Sequence, residues 1–366
     1  MSRHSRRQFV RGTGALSAVG ITAVAGCLGS DDDDDGTLGL YSWGGSTQEA
    51  LMDHVVEPFE AEYDVEVEAT SFDNQDSMLS NIRSSPEGSY DIVMPSAERT
   101  YEAVQQDLLE PIRTEDIDTW NNLFPVFQDL ALDPGDDAHV APLYYGTIGM
   151  VYNTDYIDTS SPSWELLWDE EYEDRITVQD FAMLRVFNAA LSLGLDPNTL
   201  ESDGSYEDGL EMVYDAMAEQ HELVRTYWGS GQEQVTQYQE ESSYVGTGWG
   251  GRILALQDEG YDQLEYAIPE EGAKGWSDML AIAKGSENRE LAEQFIGFAY
   301  QDEVIQDLSP EIGYPPATGV ETDEIEALPD FDPSGGEGLL FEDPEFIDEH
   351  EDEWMDTFDA IKMGEY

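Results

Sequence analysis

Gly275-Trp276-Ser277-Asp278-Met279-Leu280-Ala281-Ile282-Ala283 is a short, mostly apolar run flanked by Gly272 and Gly285, a pattern that predicts a buried β-strand. Trp276 and Asp278 are two positions apart, so in a strand both point to the same face of the sheet. A ring face beside a carboxylate suits an organic ammonium, because the ring attracts the cation and the carboxylate accepts its N–H hydrogen bonds. The structural alternative is a core tryptophan next to an aspartate that begins the strand, and the spacing alone does not separate the two.

Strands and helices alternate from the first apolar segment onward. Residues 37–43, 65–69 and 90–94 have the short apolar or alternating patterns of strands. Residues 48–63 and 77–83 lie between them and have helical periodicity. This β-α-β order predicts a mostly parallel sheet with helices on its faces.

A second α/β region follows. Two apolar runs, residues 140–145 and 147–152, join near Gly146 and are predicted to carry the chain from one lobe to another. Further strands and helices alternate over residues 175–259. Ligands bind at the C-terminal ends of parallel strands, so two facing α/β lobes predict a ligand cleft between them. The expected boundaries are 37–147 and 277–322 for lobe 1, and 148–276 and 323–366 for lobe 2.

The composition excludes some partners. The 366 residues include 81 acids and 15 Lys or Arg, for a net charge of −66, which makes a nucleic-acid partner very unfavourable. The hydrophobic content of 40% indicates a folded core rather than a disordered acidic chain. We interpret the acids as a solvated surface adapted to high salt, where charge repulsion is screened.

The N-terminus resembles an export signal. Ser5-Arg6-Arg7-Gln8-Phe9-Val10 is similar to the twin-arginine motif, and the apolar run that follows is too short to span a membrane. Val24-Ala25-Gly26-Cys27 resembles a lipobox, in which the cysteine receives lipid and becomes the mature N-terminus. Residues 1–26 are therefore predicted to be a signal peptide. The alternative is a chance Arg-Arg pair and a buried cysteine.

The segment after the signal is predicted to be a tether. Residues 27–36 contain five consecutive aspartates, and like charges in a short run repel and stay extended. Together with a lipidated Cys27, such a tether would hold the folded part at the outer face of the cytoplasmic membrane.

Motifs for most catalytic chemistry are missing from the sequence. The five histidines have no metal-ligand spacing, and there is no phosphate loop, no nucleophile elbow and no Ser-x-x-Lys, so no metal or cofactor is predicted. Residues 246–251 are glycine-rich and are interpreted as a turn that lets the backbone approach a ligand or a lobe closely. With 81 acids, a hydrolase that uses two carboxylates is not excluded, but nothing favours it.

Several segments in order resemble a known family. They are the Tyr-Ser-Trp of the first strand, Tyr90-Asp91-Ile92-Val93-Met94-Pro95-Ser96, the opening stretch and Ile312-Gly313-Tyr314-Pro315. With the export signal they resemble the extracellular solute-binding proteins of ABC importers, in particular the spermidine/putrescine-binding branch. The resemblance runs from about Thr37 to the C-terminus. It implies a two-lobed periplasmic-binding-protein fold of type II, with a ligand cleft between the lobes.

The resemblance also implies site residues. In that branch aromatic side chains enclose the methylene chain of the ligand and carboxylates hold its amines. The residues here that match family site positions are Trp43, Ser96, Trp249, Trp276, Asp278 and Tyr314.

Four further candidates depart from the family pattern. Glu98 replaces an aromatic, Arg252 replaces a small residue, and Asp359 stands where an amide side chain is usual. The family's second acidic position, in the helix after the strand that ends at about Asp180, is assigned to Arg185. Two unpaired arginines in a cleft would oppose a polycation. Alternatively they pair with Glu98 or Asp359, or one of them clamps a ligand carboxylate or phosphonate. Arg185 on a surface away from the cleft is the third interpretation.

The resemblance therefore predicts a non-enzymatic, monomeric, lipid-anchored binding protein that delivers a small organic cation, foremost a polyamine, to ABC permease subunits by closing its lobes. An importer of a zwitterionic or anionic ligand such as an opine, an amino acid derivative or a phosphonate is the main alternative. An exported hydrolase with an acidic pair and a structural surface lipoprotein are the other classes considered.

Overall fold

The computed structural model describes residues 37–72, 74–128, 130–332, 336 and 338–366. The predicted signal peptide of residues 1–26, the predicted lipid acceptor Cys27 and the acidic tether of residues 27–36 lie outside the described residues. In the described ranges, no helix combines the length and the apolar character needed to cross a membrane.

Eleven strands in the described ranges belong to one sheet: β1 (Thr37–Trp43), β2 (Glu66–Phe72), β3 (Ile92–Val93), β4 (Leu109–Glu110), β5 (Val140–Asn153), β6 (Ile176–Gln179), β7 (Val224–Trp228), β8 (Val245–Trp249), β9 (Leu264–Ala267), β10 (Ala273–Ala283) and β11 (Leu339–Leu340). The strand order is β2-β1-β3-β10-β5-β8-β6-β7, while β4 and β11 pair with β10, and β9 pairs with β5.

The helices of the described ranges are α1 (Ser46–Leu51), α2 (Glu57–Tyr63), α3 (Gln75–Ser84), α4 (Ala97–Gln105), α5 (Pro125–Gln128), α6 (Ala182–Ser192), α7 (Tyr206–Leu223), α8 (Gly231–Gln239), α9 (Gly250–Asp258), α10 (Arg289–Ala299), α11 (Asp302–Ile312), α12 (Asp323–Glu326) and α13 (Pro344–Met363). A π-helical turn, Met52–Val56, joins α1 to α2, so the periodic segment 48–63 is helical throughout. Short 3-10 turns are Thr114–Asp116, Asp118–Asn122, Trp164–Trp168 and Glu170–Tyr172.

The outer strands are parallel, and the two strands that link them are not. At one end of the sheet β1 pairs in parallel with β2 and β3, and at the other end β6 pairs in parallel with β7 and β8. Between them β5 and β10 run antiparallel to each other, from Lys274 opposite Ile148 to Ala281 opposite Val140. The two apolar runs around Gly146 are thus a single long strand, β5, and all of its residues are buried.

The hydrophobic cores lie on the two sides of this crossing. The largest cluster takes its side chains from residues 38–145 and 279–325, together with Leu339. Three other clusters take theirs from residues 150–273 and 347–361. We call the part of the fold around the largest cluster the first body and the part around the other three clusters the second body. Because β5 and β10 contribute side chains to the cores of both, these two strands connect the two bodies.

The strand ends place a set of side chains at one location. Trp43 ends β1, Ser96 follows β3, Asp180 follows β6 and Trp249 ends β8. These are C-terminal ends of strands in the parallel parts of the sheet, where α/β folds bind ligands. Gly313 has φ 80° and ends α11, which presents Tyr314 at the same location.

The turn predicted for residues 246–251 is wrong. Residues up to Trp249 belong to β8, and α9 begins at Gly250. The glycines serve close packing within these elements. A Cβ at Gly246 would overlap the backbone of Thr177 on the neighbouring strand, and a Cβ at Gly248 would overlap Gln234. The close approach that these two glycines allow is to the neighbouring strand β6 and to α8, whereas an approach to a ligand or a lobe was expected.

Candidate functional site

A cavity of about 570 Å³, the main cavity, lies beside β10 where the C-terminal ends of β1, β3, β6 and β8 converge. Eight of the ten ligand-site side chains predicted from sequence line it: Trp43, Ser96, Glu98, Trp249, Arg252, Trp276, Asp278 and Tyr314. Eight further residues, not predicted from the sequence, also line it: Gln75, Arg99, Ile148, Gln179, Asp180, Phe181, Leu184 and Lys274.

Trp276 forms the aromatic base of the cavity. Its ring meets the Tyr314 ring edge-on, with 4.7 Å between ring centroids. It lies opposite Gly146 of β5 in the strand register. A Cβ at Gly146 would overlap the indole ring of Trp276, so only glycine fits there. The ring position is therefore set by both strands that cross between the lobes.

Asp278 places a buried carboxylate at the cavity wall. Its side chain is 8% exposed, and the Tyr144 hydroxyl donates a hydrogen bond to Oδ2 at 2.9 Å. Burial raises the pKa of Asp278 to about 6, with the Trp43 indole and Tyr144 opposing the rise and the Glu98 carboxylate adding to it. The Trp43 N–H faces this carboxylate without making a hydrogen bond of ordinary geometry. A cation brought next to Asp278 would favour its charged form.

Four other polar groups of the cavity lining are buried without a hydrogen-bond partner among the described residues. They are the indole nitrogens of Trp43 and Trp276, the hydroxyl of Ser96 and the side-chain carbonyl oxygen of Gln179. Burying an unpaired polar group is unfavourable, so such groups favour a bound polar ligand.

Lys274 is a buried cation in the cavity wall. Its side chain is 2% exposed, and its Nζ lies 3.1 Å from Glu342 Oε2 and 3.7 Å from Glu98 Oε1. Burial lowers the pKa of Lys274, but the two carboxylates outweigh this, so the pKa is raised and the ammonium stays protonated. A smaller cavity of about 240 Å³, the side cavity, adjoins the main one and is lined by Glu98 and Glu342 among others.

Two further residues of the cavity lining, Asp180 and Arg252, carry charges of opposite sign. Asp180 follows β6 and pairs with Lys362 at 2.8 Å. The Arg252 guanidinium lies over the Trp249 ring, 5.5 Å from its centroid, and forms no ion pair with any described residue. Its charge opposes the rise that burial causes in the pKa of Tyr314. The arginine is therefore close to the cavity tyrosine and has no acid of its own.

Arg185 and Asp359 do not line the main cavity, although both were predicted from the sequence to be ligand-binding residues. Arg185 is 1% exposed, and its guanidinium donates hydrogen bonds to Gln220, at 3.1 Å, and to Asn188, both within the second body of the fold. Burial lowers the pKa of Arg185 to about 10. Asp359 is exposed on α13 and pairs with Lys362 at 3.1 Å.

Two of the cavity residues that were not predicted, Lys274 and Asp180, could have been recognised from the sequence pattern. Lys274 is two positions before Trp276, so the alternation that links Trp276 to Asp278 also includes Lys274. Asp180 directly follows a predicted strand, and the structure puts this residue, rather than Arg185, at the cavity. Gln75 had no such signal. Its amide accepts a hydrogen bond from the Ser96 N–H at 3.1 Å and thereby fixes the loop after β3.

The described residues of the cavity combine groups that can bind an organic amine. No group of three or more His, Cys, Asp or Glu side chains among them is placed to hold a metal ion. What the cavity offers is a buried carboxylate, aromatic faces and unpaired donors. Such a set holds an ammonium and encloses an aliphatic chain.

Known proteins with related sequences are solute-binding proteins. Residues 54–333 match the family model described as bacterial extracellular solute-binding protein. The chain is 27% identical over 302 residues to the spermidine/putrescine-binding periplasmic protein of Salmonella typhimurium, which covers 82% of each chain. It is 24% identical over 374 residues to the gamma-aminobutyric acid-binding protein of Pseudomonas aeruginosa, covering 97% of this chain and 98% of that protein.

A solved structure has the same fold. The spermidine/putrescine ABC transporter substrate-binding protein of Streptococcus pneumoniae superposes with a TM-score of 0.76 at 23% sequence identity. The match covers 90% of this chain and 99% of that chain. The two-lobed α/β class predicted from the sequence is confirmed at the level of the fold.

Proposed function

Because the chain belongs to the bacterial extracellular solute-binding proteins, the binding components of ABC importers, we propose that it captures a small organic cation, foremost a polyamine such as putrescine or spermidine. The observation that carries the proposal is Asp278, a buried carboxylate beside the ring of Trp276 in the main cavity. The relatives named above are binding proteins, which supports a role without bond making or breaking.

In the proposed binding mode the ammonium donates to Asp278 and the methylene chain lies against Trp276. The charged pair forms where little water competes, so its hydrogen bonds are stronger than those on the surface. Trp43, Trp249 and Tyr314 supply the other aromatic walls. The remaining charge of a diamine would meet Asp180, a carboxylate of the cavity lining that pairs with Lys362.

We propose that binding closes the two lobes by bending β5 and β10. Lobe 1 would consist of residues 37–147 and 277–322, and lobe 2 of residues 148–276 and 323–366. A ligand that contacts both lobes favours the closed state by its differential affinity for that state. The closed monomer would then dock on the permease subunits. Small-angle scattering with and without ligand tests the closure, and an unchanged radius of gyration at saturation contradicts it.

The membrane attachment is proposed from the sequence. The export motif and the lipobox support transport across the cytoplasmic membrane and lipidation of Cys27, with residues 27–36 as the tether. Fractionation of cells that express Cys27→Ser tests the anchor: release of the protein from the membrane fraction is expected, and unchanged retention contradicts it.

Arg252 supports a second candidate ligand class within the same importer role. It is a cation in the cavity lining without an acidic partner among the described residues. A zwitterion, such as an amino acid derivative or an opine, would place its ammonium at Asp278 and its carboxylate at Arg252. The gamma-aminobutyric acid-binding relative is consistent with this alternative. An acidic-pair hydrolase is less well supported, and a turnover that Asp278→Asn abolishes would favour it.

Thermal unfolding against a ligand panel tests the proposal. The panel contains putrescine, spermidine, γ-aminobutyrate, an opine, glycine betaine, thiamine and a phosphonate. In about 1 M salt the screening length is about 3 Å, so diffuse attraction to the acidic surface is suppressed. A ligand at 100 times its Kd adds about 2.7 kcal/mol to the free energy of unfolding.

We expect a shift with the polyamines. A shift with zwitterions alone would remove the polyamine class and implicate Arg252, while the importer role would stand. No shift with any amine would contradict the proposed ligand site.

A further inference from the structure

Lys274, Trp276 and Asp278 form one row along β10. They occupy alternate positions, all three line the main cavity, and so they share one face of the strand. At about 3.3 Å per residue, the backbone positions of the two charged residues are about 13 Å apart. The row therefore presents a carboxylate at one end, an indole in the middle and an ammonium at the other end.

The ammonium end of the row is already paired with carboxylates. Lys274 Nζ lies between Glu342, which is 6% exposed, and Glu98 at the start of α4. Both acids line the side cavity, and Glu98 lines the main cavity as well. Two carboxylates that converge on one buried ammonium beside aromatic walls have the chemistry of an amine-binding subsite. Here the amine belongs to the protein.

We propose that the Lys274 side chain occupies a second ammonium subsite formed by Glu98 and Glu342, and thereby makes the protein selective for short amines over longer triamines. The inference rests on the proposed function. A short ligand anchored at Asp278 spans less than the about 13 Å between the backbone positions of Asp278 and Lys274. A triamine extended along the row finds the Glu98–Glu342 subsite occupied by the Lys274 ammonium, which repels its further ammonium. Arg99 also lines both cavities, but it pairs with Asp76 at 2.9 Å, outside the row.

The test compares the affinities of putrescine and spermidine by calorimetric titration of the purified protein and of Lys274→Met. Methionine keeps an unbranched stem and removes the charge. We expect the wild type to favour putrescine, and we expect the variant to shift the spermidine-to-putrescine affinity ratio at least about tenfold towards spermidine. Lys274→Arg keeps the charge and is expected to keep the wild-type preference.

Two controls make the result decisive. Lys284→Met removes the same charge from a half-buried surface lysine that pairs with Asp107 and Glu110, and it is expected to leave the ratio unchanged. If Lys274→Met fails to fold because Glu342 is left unpaired, the double variant Lys274→Met/Glu342→Gln is measured instead. Its spermidine-to-putrescine affinity ratio is expected to shift in the same direction, towards spermidine, because Glu98 then accepts the ligand ammonium.

The outcomes separate the inference from the function on which it rests. A wild type that prefers spermidine, or a folded Lys274 variant whose ratio stays within about threefold of the wild type, overturns the inference while amine binding stands. A wild type that binds neither amine overturns the proposed polyamine function itself.

Discussion

Replacing Asp278 with alanine is expected to weaken the binding of an amine ligand by about 1.5–3 kcal/mol, roughly ten- to 150-fold in Kd. The reason is that Asp278 is the buried carboxylate of the main cavity, at 8% exposure, with Tyr144 as its protein donor. A hydrogen bond to a charged group in such a site is stronger than one between neutral groups. Calorimetric titration of the variant with the ligand identified by the panel measures the loss.

A matched charge control accompanies this variant. Asp107→Asn also removes one negative charge, but Asp107 is an exposed residue that pairs with Lys284 and is not part of the cavity lining. Its affinity is expected to equal that of the wild type. If Asp278→Ala binds the amine as tightly as Asp107→Asn does, Asp278 does not hold the ligand and the proposed binding mode is wrong.

Replacing Trp276 with alanine is expected to cost about 2 kcal/mol or more of binding free energy. Two effects add: the ligand chain loses apolar area against the indole, and the ammonium loses its attraction to the ring face. The change also leaves a space among Gly146, Tyr314 and Tyr144, which lie around the ring. The loss is measured by the same titration.

The conservative variant Trp276→Phe separates the two contributions from a general disturbance of the site. It keeps an aromatic face, so we expect it to recover part of the lost affinity, while its melting temperature without ligand shows whether the crossing strands remain packed. Equal affinities of the alanine variant and the wild type would assign Trp276 to the core and support the structural alternative.

The features that depend on local periodicity could be predicted from the sequence. The alternation around Trp276 predicted a strand and a shared face, and Trp276 and Asp278 do line one cavity. The two apolar runs around Gly146 predicted extended, buried structure, and they form the single buried strand β5. The shared face of Trp276 and Asp278 needs only the two-residue repeat of a strand, which holds whatever the rest of the chain does.

Helix orientation could not be predicted to within one residue. Leu184 lines the main cavity, whereas its neighbour Arg185 points into the second body and bonds to Gln220 of α7. Successive residues of a helix are rotated by about 100°, so a one-residue change reverses the assignment. The polar partners of Arg185, on α6 and α7, become visible only after the helices are packed.

Ion pairs between residues far apart in the sequence could not be predicted either. In a chain with 81 acids, the sequence does not reveal that Glu342 is the acid next to Lys274. Nor does it reveal that Lys362 binds Asp180 and Asp359 together. The cavity therefore has a charge pattern that the overall charge of −66 does not describe. Two departures from the family pattern, Glu98 and Arg252, line the cavity, and Arg252 is the one that supports a zwitterionic ligand.

The most direct test of the account is the affinity of the wild type for putrescine at pH 8 and at pH 5. Burial raises the pKa of free Asp278 to about 6, and an ammonium would lower it in the complex because it favours the carboxylate. Binding at pH 5 must therefore displace a proton, whereas at pH 8 it need not. The diamine itself stays fully protonated at the lower pH and largely so at pH 8.

We predict tight binding at pH 8 and a Kd about tenfold weaker at pH 5, with this pH dependence lost in Asp278→Asn. Equal affinities at the two pH values, or an undiminished pH dependence in the Asp278 variant, would contradict the claim that this buried carboxylate receives the ligand ammonium.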